Sequence, residues 1–85
     1  MNYFYEDIIS EITISGQNST TVLFSSIPSH KVPKISATPV GENANFNCFV
    51  ESTLISSGKW SVKISSSAGD IPIGTKFHIR AFANC

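Results

Sequence analysis

Apolar and polar residues alternate with a period of two over most of the chain, the signature of strands with one buried and one wet face. The clearest runs lie in the second half. Residues 59–65 set Trp60, Val62 and Ile64 against Lys59, Ser61, Lys63 and Ser65. Residues 75–83 set Phe77, Ile79, Ala81 and Ala83 against Lys76, His78, Arg80 and Phe82. Residues 45–53 set Phe46, Cys48 and Val50 against Asn45, Asn47 and Glu51, with Phe49 breaking the polar side. Trp60 is assigned to the core because it shares its face with Val62 and Ile64.

Shorter runs precede these. Residues 11–15 alternate with Ile12 and Ile14 on one face, and residues 20–26 place Val22 and Phe24 opposite Leu23. Residues 34–40 point Ile35 and Ala37 inward, and Pro39 marks an edge or the strand's end because it cannot donate to a ladder. Turn chemistry separates the runs: Gly16-Gln17-Asn18, a loop over 27–33 with Pro28 and Pro33, a polar turn over 41–44, and Ser/Gly/Pro loops over 55–58 and 66–74. Six strands at this spacing predict an all-β domain, a six-stranded antiparallel β-sandwich. Residues 1–9 (MNYFYEDII) read as a short aromatic and acidic N-terminal arm, ambiguous between helix and extended chain. The organisation expected is an arm and first strand over 1–15 and the sandwich over 16–85, one domain overall. Tyr3, Phe4 and Tyr5 are the candidate assembly residues of the arm.

Composition supports the all-β reading. Ile, Val and Thr total 22 residues against 2 Leu, 5 Ala and 1 Met, so strand formers far outnumber the strongest helix formers. Charged residues are 14% and cancel to a net charge of zero, which excludes binding driven by phosphate neutralisation and hence a nucleic-acid partner. A chain of 85 residues buries only about two-thirds of its unfolded surface, so oligomerisation is the expected supplement to a marginal core. No run reaches the ~20 apolar residues of a spanning helix, so membrane insertion is not expected. The first ten residues carry Glu6 and Asp7, with no basic start and no apolar stretch of signal-peptide length. Synthesis in a cytoplasm is the expectation from that.

Candidate chemistry is sparse. The sequence has neither a Gly-rich phosphate loop nor metal-ligand spacing. His30 and His78 stand 48 positions apart, with no Cys or carboxylate at ligand spacing from either, and are expected to be solvent-facing. Serine is abundant at 14 residues, but a nucleophile needs a base and an orienting carboxylate, and the chain offers 2 His and 2 Asp. No enzyme activity and no cofactor are expected. Asn18-Ser19-Thr20 fits a glycosylation sequon, which matters only on a secretory route.

Two features carry more. His78, Arg80 and Phe82 project from one face of the last strand, as a ligand or subunit contact or as an ordinary exposed strand face. No partner aromatic for Phe82 is evident along the chain. Cys48 lies on the apolar side of its strand, and Cys85 continues the alternation of Ala81 and Ala83. Three fates stay open: Cys48 as a small buried hydrophobe, a disulfide between Cys48 and Cys85, or Cys85 bridging to a neighbouring subunit. The intrachain bridge would close 85 − 48 = 37 residue steps and contribute about 4 kcal/mol on the chain-entropy model.

Several stretches together resemble the H-type lectin fold. They are Val22-Leu23-Phe24, Ile27, the run from Pro33 through Lys34, Ile35, Ser36, Ala37 and Thr38 to Pro39, the strand Phe46 to Val50, the Gly58-Lys59-Trp60-Ser61-Val62-Lys63-Ile64 strand, and the closing Phe77-His78-Ile79-Arg80-Ala81-Phe82-Ala83. The resemblance covers residues 20–83. It implies a six-stranded antiparallel sandwich that forms trimers or their multiples, and its relatives include short β-domains of phage tail and capsid appendages. On that basis the expected function is a non-enzymatic bacteriophage virion structural protein, a capsid decoration or a tail or baseplate accessory. It would be a homotrimer with other virion proteins as partners, located in the virion. The alternative is a lectin-like carbohydrate-binding module that recognises a host surface glycan. In the sugar-binding members the last strands and their loops form the pocket at the protomer interface, which here implies His78, Arg80 and Phe82.

Overall fold

The computed structural model describes residues 3–41, 47–67 and 69–84. Among them are six strands and no helix: β1 (Tyr3–Glu11), β2 (Ser19–Phe24), β3 (Lys34–Val40), β4 (Cys48–Ser56), β5 (Lys59–Ser66) and β6 (Lys76–Asn84). They form two three-stranded antiparallel sheets, ordered β1-β6-β3 and β2-β5-β4. The all-β, six-stranded antiparallel architecture matches the alternation in the sequence.

The sheets meet across one core. Val22 and Phe24 from β2, Trp60, Val62 and Ile64 from β5, and Phe77, Ile79, Ala81 and Ala83 from β6 are buried together. Ile12, Ile27 and Ile71 enter it from the loops. The central strands β5 and β6 supply most of this core because both of their flanks are covered by neighbouring strands. Burying each of Val62, Ile64, Phe77 and Ile79 contributes about 1.5–3 kcal/mol relative to exposure. Trp60 lies in this core, as its face predicts, and its indole Nε1 donates to the Pro28 carbonyl at 3.0 Å. That bond ties β5 to the proline-punctuated loop and satisfies the one polar atom of the ring.

Two elements differ from the sequence reading. The residues expected to form an arm are themselves the first strand, since Tyr3–Glu11 pairs with β6 along its whole length. The strand expected over 11–15 ends instead at Glu11. Ile12 drops into the core, its N–H donating to the Thr75 carbonyl at 2.9 Å and its carbonyl accepting from Gly74 N–H at 2.8 Å. The chain then turns, so Ile14 is 64% exposed rather than sharing a buried face with Ile12. The fourth strand is described from Cys48, the earlier part of its expected range (residues 45 and 46) lying outside the described residues. A bulge between Val50 and Ser52 shifts its phase, so that Thr53 and Ile55 continue the register toward β5 and the strand runs on to Ser56. The β4–β5 connection is therefore only two residues, Ser57 (φ 53°) and Gly58 (φ 77°). Positive φ at both central positions is the type I′ signature, whose twist matches that of the flanking strands.

Three of the four edge strands are blunted against further pairing. β3 carries Pro39 and β4 its bulge. β1 has an inward-facing charge, Glu6, whose Oε1 accepts the Ser26 N–H at 2.8 Å and so draws the loop after β2 across its flank.

Candidate functional site

The outer face of the β1-β6-β3 sheet collects the expected contact residues. Strict alternation along β6 sends Lys76, His78, Arg80, Phe82 and Asn84 outward while Phe77, Ile79, Ala81 and Ala83 enter the core. Register then fixes their neighbours. Phe82 lies between Tyr5 of β1 and Lys34 of β3, Arg80 between Asp7 and Ser36, His78 between Ile9 and Thr38, and Lys76 between Glu11 and Val40. His78, Arg80 and Phe82 thus share one face, with His78 half-buried and the other two exposed.

Phe82 has the aromatic company that the sequence did not reveal. Its ring stands edge-to-face with Tyr3 at 6.2 Å between centroids, and Tyr3 stands edge-to-face with Tyr5 at 6.5 Å. The Lys34 ammonium lies 5.6 Å from the Phe82 ring centre, within cation–π range. Tyr3 and Tyr5 are therefore exposed on the outer face beside Phe82. Phe4 points to the other side of β1 and packs against the core. A period-two reading of Tyr3, Tyr5, Asp7 and Ile9 would have separated them from Phe4, but their approach to Phe82 depends on strand register.

The two carboxylates on this face are each paired within it. Asp7 Oδ2 lies 3.8 Å from Arg80 Nε and Glu11 Oε1 lies 3.9 Å from Lys76 Nζ, both across the β1–β6 pair. Such exposed pairs contribute little to stability, about 0–1 kcal/mol each. Their consequence is for docking: a partner that covers the face leaves no isolated carboxylate behind. Open depressions of about 310 Å³ (Tyr5, Lys34, Ile35, Ser36, Arg80, Phe82) and about 350 Å³ (Tyr3, Tyr5, Phe82, Asn84) adjoin the aromatic cluster. A more polar one of about 300 Å³ is lined by Ser36, Thr38, Val40, His78 and Arg80.

The opposite outer face, on β2-β5-β4, places Leu23 and Leu54 on either side of Ser61. Beside them, the Ser65 hydroxyl donates to the Glu51 carboxylate and Lys63 Nζ lies 3.2 Å from it. The Ser65 hydrogen bond, with Lys63 second, holds the Glu51 carboxyl below its ordinary range. The bulge is what brings Glu51 to these partners.

Cys48 is half-buried at the seam between β3 and β4, its Sγ 3.7 Å from the Ala37 carbonyl oxygen. Burial pushes its thiol pKa up, the direction of an unreactive cysteine. Cys85, and with it the candidate disulfide and the intersubunit bridge, lies outside the described residues. Among the described residues no three His, Cys, Asp or Glu side chains cluster as a metal site requires. His30 is exposed in the loop before β3. No family model, curated protein or solved structure matches the chain.

Proposed function

We propose that the chain is a non-enzymatic structural subunit that works in an assembly, docking through the outer face of its β1-β6-β3 sheet. The observation that carries this reading is the distribution of apolar side chains. Among the described residues twelve large apolar side chains are exposed, as many as the apolar residues that form the buried core. Single exposed apolar residues are commonplace on protein surfaces, whereas contiguous ones mark contacts. Tyr3, Tyr5 and Phe82 are contiguous, and the Asp7 carboxylate beside them is already paired with Arg80. With three of the four edges blunted, face-to-face packing is the favoured route for self-association. A homotrimer in a bacteriophage virion, as a capsid decoration or a tail or baseplate accessory, is the setting the H-type lectin resemblance suggests, by analogy at fold level. The test is the oligomeric state of Phe82→Asp, which would place a new unpaired charge at the centre of the contact. A variant that folds and stays monomeric supports the reading, and one that assembles like the parent refutes it.

A second reading is favoured by the aromatic rings beside Arg80, Lys34 and Asn84. Rings flanked by hydrogen-bonding groups suit a sugar, so the face would serve as a lectin-like module for a host surface glycan. Glycan-array binding that is lost in Phe82→Ala supports it, and a blank array for the assembled protein removes it.

A further inference from the structure

We infer that the glycan taken by the outer face of the β1-β6-β3 sheet is acidic: a sugar whose carboxylate is received by Lys34 and Lys31 while its ring lies on Phe82. The inference deepens the glycan reading of that face, on which it rests.

Its warrant is the charge left over once the face has satisfied itself. Asp7 is engaged by Arg80 and Glu11 by Lys76, and on the other sheet Glu51 is engaged by Lys63. Among the described residues neither Lys34 nor Lys31 pairs with a carboxylate, so both ammonium groups keep their donors for a ligand. The chain is neutral overall, which makes this a local surplus of positive charge and not a general basic surface.

The backbone places both cations. Lys34 opens β3 directly opposite Phe82, so Tyr5, Phe82 and Lys34 form one row across the sheet. Its ammonium stands 5.6 Å from the centre of the Phe82 ring. Asn84 is the next outward residue of β6 and lies opposite Tyr3. β3 begins only at Lys34, so Asn84 has a strand neighbour on its β1 side alone. An open depression of about 210 Å³ lies on its other side, lined by Lys31, Val32, Lys34, Phe82, Ala83 and Asn84. The loop that carries Lys31 is tied down there. Lys31 N–H donates to the Pro28 carbonyl at 3.1 Å, and the same carbonyl accepts the Trp60 indole N–H at 3.0 Å. The two cations therefore flank the aromatic floor, one held by strand register and the other by an anchored turn.

The apolar C–H face of a sugar ring packs on an exposed aromatic ring. A neutral sugar would use that floor and the Asn84 amide and leave both ammonium groups to water. A sugar with a carboxylate accepts charge-assisted hydrogen bonds from them, which are stronger than neutral ones. The paired Asp7 and Glu11 do not oppose it. Two cations match a single carboxylate, whereas a polyanion needs a clustered basic surface.

The test is an array of neutral, sialylated and uronic-acid glycans, followed by NMR titration of the labelled protein with matched pairs. Sialyllactose is set against lactose, and galacturonic acid against galactose. The acidic member of a pair should bind about fivefold more tightly, the upper end of what an exposed ion pair supplies. Lys34→Gln should remove that preference without weakening the neutral member, Lys34→Arg should keep it, and added salt should erode it. Neutral glycans bound through Phe82 as tightly as acidic ones, with Lys34→Gln indifferent, overturn the inference and leave the glycan reading standing. Acidic binding that survives Phe82→Ala, or heparin bound more tightly than singly charged sugars, also overturns it, by pointing to charge attraction away from the rings. A blank array overturns both readings.

Discussion

Phe77 and Phe82 lie five residues apart on β6 and face opposite ways, which makes their truncation a direct comparison of core and contact. Phe77 is 0% exposed among Ile64, Ile79 and the other core residues, and Phe77→Ala should destabilise by about 3–5 kcal/mol through lost transfer energy and an unfilled cavity. A domain of 85 residues has about 4–13 kcal/mol in total, so this variant loses from roughly a quarter to all of its stability. Phe82 is 38% exposed, and its truncation loses the edge-to-face contact with Tyr3 and the Lys34 cation. The first contributes about 0.5–1.5 kcal/mol and the second about 0.5–1 kcal/mol at an exposed site, so Phe82→Ala should cost about 1–2.5 kcal/mol and stay folded. Urea unfolding followed by circular dichroism should show a clear two-state transition for Phe82→Ala, its midpoint lowered by about 0.3–2.5 M with little change in slope. Its native mass should fall relative to the parent at the same concentration. A Phe82→Ala protein as destabilised as Phe77→Ala would mean the residue is core. One of unchanged mass would mean that the face is not the subunit contact.

Trp60→Phe removes the donor to the Pro28 carbonyl and part of a buried ring, and should lower stability by about 1–3 kcal/mol in denaturant titrations, whereas a neutral result would refute the structural role of that bond. In the two-residue turn, Gly58→Ala forces a Cβ into positive φ and should destabilise by about 1–2 kcal/mol. Ser57→Asn supplies the residue type I′ turns prefer and should raise the thermal midpoint; the reverse order would contradict the turn assignment. The Glu51 carboxyl is held low in the folded state, first by Ser65 and then by Lys63, so its contribution is present above its unfolded pKa and lost as pH falls through its folded one. The stability difference between the parent and Glu51→Gln should therefore be largest near neutral pH and vanish on acidification below the carboxylate range. A difference that does not vary with pH would contradict the Ser65–Glu51–Lys63 arrangement.

Four strands were legible because their inward positions are uniformly apolar or small: β2, β3, β5 and β6 follow from the alternation of Val22 and Phe24, Ile35 and Ala37, Trp60 to Ile64, and Phe77 to Ala83. β1 was not, because Glu6 and Ser10 sit on its inner face while Tyr3, Tyr5 and Ile9 sit outside, so apolar side chains occur on both sides. The bulge in β4 had a trace in the sequence, where Phe49 and Glu51 share a side, but periodicity alone does not say which residue is extra. The grouping of His78, Arg80 and Phe82 is a local property of one strand and could be read directly. The aromatic cluster could not, because Tyr3 and Tyr5 reach Phe82 only through the pairing of the first strand with the last. That pairing is also why residues resembling an assembly arm turn out to complete a sheet.

The mass of the native protein in solution, by light scattering across a range of concentrations with and without reductant, tests the assembly reading most directly. A stable oligomer is expected, with a trimer of three 9.2 kDa chains at about 28 kDa the form the resemblance favours. A monomer at every concentration would contradict the role of the β1-β6-β3 face as a subunit contact.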